Sequence, residues 1–157
     1  MGFERIIMGD FLRQTRETSL NNLKLQIAAA IRSHVAQYHL GDIETTTLMC
    51  CETISTKQKK GLFGKAMVIE TAVILTPHWL IWATAEGNQT PFVHSAKLSN
   101  IQIQDYETSK THKLIPDSGL IISGLRTDAV DLGSIFIGFG SEPAAQKFRR
   151  LLMEQLM

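Results

Sequence analysis

Leu20, Leu23, Ile27 and Ile31, followed by His34 or Val35, recur at helical spacing, while Asn21, Lys24, Arg32 and Gln37 fall elsewhere on the wheel. The spacing predicts an amphipathic helix over residues 20–38, capped at its start by Ser19 or Thr18 and ended by Gly41 in a left-handed turn. Residues 1–18 carry no such period and read as a helix start or a mobile lead-in. After position 42 the pattern changes to short runs rich in β-branched residues. Strands are expected at 43–55, 67–75, 79–84, 91–95, 101–106, 120–125 and 134–139. Within them Met67, Ile69, Thr71 and Val73 alternate with Val68, Glu70, Ala72 and Ile74, and Leu80, Trp82 and Thr84 oppose Trp79, Ile81 and Ala83. Turns fall at Thr76-Pro77-His78, Glu86-Gly87-Asn88 and Thr127-Asp128-Ala129. A closing helix starts near Ser141, with Pro143 in its first turn and Ala144, Ala145, Phe148, Leu151, Leu152 and Leu156 on one face.

The connections between strands are too short for parallel crossovers, which take about a dozen residues or more, so the sheet is expected to be antiparallel. With 157 residues, 44% of them hydrophobic, and a net charge of +1, the chain fits one domain with an adequate core. That balance argues against a disordered chain and a generally basic nucleic-acid binder. The longest apolar stretch, residues 66–85, is interrupted by Glu70, Pro77 and His78. A membrane helix wants about 18 or more apolar residues, so an intracellular, cytoplasmic protein is expected.

Seven antiparallel strands and one capping helix resemble the pleckstrin-homology-like superfold. The likeness is closest in AVILTPHWLIWATAEGNQTPFVHSAKLSNIQI, residues 72–103. This stretch is similar to the strand, Leu-Thr turn, apolar strand and polar turn of the GRAM and bacterial pleckstrin-homology-like branches. Leu75-Thr76 would end one strand and Trp79 to Trp82 would form the next. The resemblance covers residues 43–156 and rests on pattern, not on a signature. It implies a mainly β fold: a seven-stranded barrel or sandwich (42–157) capped by its last helix, with residues 1–41 as an added helical extension. It also implies recognition instead of catalysis, since the family includes phosphoinositide binders, protein binders and oligomerising domains.

In phosphoinositide-binding members, basic residues in the loop joining the first two strands contact headgroup phosphates. By this resemblance Lys57, Lys59, Lys60 and Lys65 form a candidate anion or membrane site, with Leu62-Phe63 at the loop tip. Met67 stands where the family pattern has a further basic residue, and a solvated hairpin loop is the plainer reading. The second candidate is a partner surface made by Leu20, Leu23, Ile27 and Ile31 of the first helix together with Trp82. That stripe docks either on its own sheet or against a partner or second copy of the chain. His34, His39, His78, His94 and His112 are scattered without metal-ligand spacing, and the adjacent Cys50 and Cys51 read as two free thiols on a strand. No catalytic residue, metal or cofactor is expected. The leading expectation is a noncatalytic module that holds a protein partner or its own copy. A peripheral adaptor for anionic membranes through the lysine loop is the alternative. A further one is a small nuclear-transport-factor-2-like carrier or enzyme, which would need a deep pocket with convergent polar groups.

Overall fold

The computed structural model describes residues 10–57, 66–126 and 132–157. Its first element is a strand, β1 (Leu12–Thr18), where a helix start or lead-in was expected. The reason lies in its side chains: Arg13, Thr15 and Glu17 face inward, so the period of two is not written in hydrophobicity. A single helical turn (Leu20–Asn22) leads to α1 (Leu25–Tyr38), shorter at its start than the expected span. His39, at φ +54°, takes the left-handed position that ends the helix, two residues before Gly41.

The next four residues, expected to start a strand, form the short helix α2 (Ile43–Thr46). Asp42 accepts from the Glu44 N–H at 3.1 Å, and the Thr46 hydroxyl donates back to the Asp42 carbonyl at 2.8 Å. These local bonds compete successfully with strand pairing. Six further strands match the expected runs in place: β2 (Met49–Lys57), β3 (Met67–Leu75), β4 (Trp79–Glu86), β5 (Phe92–Lys97), β6 (Gln102–Asp105) and β7 (Gly119–Arg126). β8 (Leu132–Gly138) and the closing helix α3 (Pro143–Leu156) complete the order. Pro143 opens α3 as expected, but Glu142 and not Ser141 precedes it. The turn at 127–129 lies outside the described residues.

The strands make two antiparallel sheets, β1-β2-β3-β4-β5 and β6-β7-β8, eight strands where a seven-stranded barrel or sandwich was expected; no closed barrel forms among the described residues. Two apolar layers result. On the outer face of the larger sheet, Cys50, Ala72, Ile74, Ile81 and Ala83 are buried with Leu20, Leu23, Ile27, Ile31 and Val35. Between the sheets, Met49, Cys51, Val73, Leu75, Leu80 and Trp82 pack against Leu120, Ile122, Ile137 and Phe139, with Phe148 and Leu152 of α3 closing one end.

β1 would leave a bare sheet edge, and the chain covers it. The Thr15 N–H donates to Glu142 Oε1 at 3.0 Å, and the Gly140 N–H donates to the Thr15 hydroxyl at 2.8 Å. Glu142, just before α3, thus serves the sheet edge. Gly124, at φ +85°, sits in the β7 bulge against the Asn100 carbonyl, where only glycine fits without strain.

Candidate functional site

On the inner face of the larger sheet the side chains change character along the strands. At the α3 end they are apolar. One row further, register aligns Thr15 with Thr53, Thr53 with Thr71, Thr71 with Thr84 and Thr84 with Phe92. The row beyond aligns Arg13, Ser55, Ile69 and Glu86. Across from these rows stand Ile135 to Gly138 of β8. A cleft of about 430 Å³ opens between them, with Ile69, Trp82, Ile135 and Ile137 as its apolar walls.

The polar groups of the cleft divide into two sets. Arg13 belongs to the paired set: its guanidinium meets Asp117 in a bidentate ion pair, Nε–Oδ1 2.8 Å and Nη2–Oδ2 2.9 Å. Both side chains are buried, at 5% and 2% exposure, and Nη1 also donates to the Ser55 hydroxyl at 2.7 Å. The Phe136 ring lies 5.3 Å from the guanidinium carbon. A Cβ at Gly138 would run into this guanidinium, so β8 can approach β1 only with glycine there. Thr15 and Thr53 are likewise paired, oxygen to oxygen at 2.7 Å.

Thr71, Thr84, Glu86 and His94 form the other set. Among the described residues their side chains enter no hydrogen bond or ion pair. His94 instead stacks on Trp82, ring centroids 5.7 Å apart, and on Phe92 at 5.9 Å. Desolvation lowers the His94 pKa below the ordinary imidazole value, which favours the neutral ring. Phe92, 70% exposed, stands at the mouth. Together with Gln89 and Thr90 these four polar groups line an apolar hollow without side-chain partners among the described residues, which is the composition of a ligand site.

Of the site residues singled out from sequence, Trp82 is the one among the described residues that lines the cleft. Lys57 ends β2, with its Nζ 5.6 Å from the Phe11 ring. Lys59, Lys60, Lys65 and the Leu62-Phe63 tip lie outside the described residues. Leu20, Leu23, Ile27 and Ile31 are covered by the chain's own sheet and Trp82 is 2% exposed in the inner core, so none of the five is open to a partner in this conformation. Trp79, on the other face of β4, packs at the edge of the α1 layer.

Cys50 and Cys51 are free and point to opposite layers. Burial pushes both thiols up to about 12, which keeps them protonated and poorly nucleophilic near neutral pH. His34 bonds Ser95 on the helix-covered side, Nε2 to Oγ at 2.8 Å. No three His, Cys, Asp or Glu side chains among the described residues are grouped to hold a metal ion, and no described helix is long and apolar enough to cross a membrane.

Sequence inspection passed over Thr71, Thr84 and Glu86. The signal was the alternation that set Thr71 beside Ile69 and Thr84 beside Trp82, but only register shows them as one row. No protein-family model, curated protein or solved structure matches the chain.

Proposed function

We propose that this chain is a noncatalytic binding module of pleckstrin-homology-like architecture, and that it holds its ligand in the inter-sheet cleft. The architectural part is supported by the order of β2 to β8: four strands in one sheet, three in the next, then a helix closing one end of the layer between them. β1 and α1 are additions, one lengthening the first sheet and one covering its outer face. The site reading rests on one observation, the polar side chains, unpartnered among the described residues, that line an apolar hollow at the end away from α3.

The groups suit holding better than transforming. Both thiols are buried and protonated. Among the described residues Thr71 and Thr84 have no base in hydrogen-bond contact to activate them, which nucleophilic catalysis requires. The carrier alternative shares the pocket, but its single curved sheet fits two separate sheets less well.

Methyl and amide chemical-shift mapping against a fragment library tests the site. Fragments of several chemistries should shift Ile69, Thr84, Ile135 and Ile137 together. Shifts confined to the α1 face, or no shifts at all, would remove the cleft as the binding site.

A further inference from the structure

The lining of the cleft also narrows its occupant. Resting on the reading that the cleft binds a ligand, we infer that the ligand is a small amphiphile with an apolar body and one ammonium end. The body lies on Trp82 between Ile69 and Ile135, and the ammonium lies at Glu86 beside Phe92.

Charge decides the sign of the polar end. Among the described residues two cationic or ionisable side chains line the cleft, Arg13 and His94. The Arg13 charge is matched by Asp117 in a buried bidentate pair, so it adds no net positive field at the cleft wall. The His94 ring is flanked by Trp82 and Phe92, and desolvation favours its neutral form. Glu86 remains, half-buried in the row that closes the cleft, with no ion pair and no side-chain hydrogen bond among the described residues. An anionic ligand would meet this carboxylate with no unmatched cationic charge on the described cleft lining to offset it. A neutral one would leave it partly desolvated and unpaired. An ammonium supplies the missing charge, with N–H donors for Glu86 and for the Thr84 hydroxyl two positions along the same face of β4.

Shape and surface point the same way. At about 430 Å³ the cleft lies within the range of small-molecule sites, roughly 300–1,000 Å³. Its walls include Ile69, Trp82, Ile135 and Ile137, which reward an alkyl or aryl body. Phe92 is aligned directly across from Thr84 on the same face, so its ring edges the place where the ammonium would sit. An aromatic face within about 6 Å of a cation adds to its binding.

The test uses the full chain with labelled isoleucine methyl groups and three probes of equal length: octylammonium, octanol and octanoate, all below micelle-forming concentration. Octylammonium should shift Ile69, Ile135 and Ile137 and bind about tenfold more tightly than the other two. Glu86→Gln, with folding checked by thermal melting, should cost that preference and leave octanol affinity unchanged. Octanol or octanoate binding as tightly in the cleft would overturn the ammonium assignment and leave the binding-site reading standing. No response of the cleft methyls to any probe would count against both. An acetylated, amidated lysine binding as well as octylammonium would reassign the occupant to a lysine side chain of a partner protein and overturn the small-molecule assignment.

Discussion

On its outer face the five-stranded sheet meets α1 with small and aliphatic side chains, Cys50, Ala72, Ile74, Ile81 and Ala83, under Ile27 and Ile31. On its inner face the same strands present Thr15, Thr53, Thr71 and Thr84 in one row and Arg13, Ser55 and Glu86 in the next. The first arrangement is what burial alone would select. The second gives up apolar area: threonine and valine have nearly the same shape, yet the inner rows carry hydroxyls, two of them unpartnered. Departures from local stability rules that lack compensation within the fold concentrate at functional sites. The difference teaches that the outer face is composed for burial under α1, while the inner face away from α3 carries polar groups that burial alone would not select.

The largest expected effect tests how the cleft wall tolerates a buried charge. Asp117→Ala removes the carboxylate that forms the bidentate pair with the buried Arg13 guanidinium, and should cost about 4 kcal/mol of unfolding free energy in urea denaturation. Removing both charges, Arg13→Met with Asp117→Leu, should recover most of that loss, since a buried ion pair is weak net support. A single-variant loss below about 1 kcal/mol would mean that water reaches the pair and that the wall is wetter than its burial indicates.

The two faces themselves are compared by Ile31→Ala and Thr84→Val. Ile31 is fully buried under the sheet, and its truncation should cost about 3 kcal/mol, through lost transfer energy and the cavity left behind. Thr84→Val removes a hydroxyl with no partner, and should change stability by no more than about 0.5 kcal/mol. A large loss from Thr84→Val would show that its hydroxyl is part of the framework and would erase the contrast between the faces.

Much of the outer face was legible in the sequence. Leu20 to Val35 announced a buried stripe, and alternation in 67–75 and 79–84 assigned each side chain to a face. What stayed hidden has two physical causes. β1 was missed because its inward residues, Arg13, Thr15 and Glu17, find their partners far along the chain, in a loop, a strand and a helix: Asp117, Thr53 and, for Glu17, Lys147 of α3 at 3.1 Å. Hydrophobic period cannot reveal a strand whose buried side is polar. The cleft was missed because its lining comes from β1, β3, β4, β5, β8 and the turn between β4 and β5. Alternation tells which face a residue takes but not which residue stands beside it, and Glu86 read as part of a turn until register placed it beside Ile69. The lysine loop drew attention for the opposite reason: a charge run is visible in sequence whether or not it faces anything.

The smallest effect expected is a kinetic one, and the adjacent cysteines report it. Cys50 lies under α1 and Cys51 lies between the sheets, where its thiol is 3.9 Å from the Ala144 carbonyl at the start of α3. One peptide bond therefore carries a probe of each layer. With both thiols held near 12, alkylation at neutral pH requires opening as well as ionisation. In Cys51→Ala and Cys50→Ala chains, the remaining thiol should react with iodoacetamide at the same slow rate, set by whole-domain unfolding. Mass spectrometry over a time course reads both rates. Faster labelling of Cys50 would show that α1 lifts from the outer face as a separate unit while the inner layer stays closed. That outcome would assign the mobile surface to α1 and not to the cleft, and reverse the division of labour between the two faces.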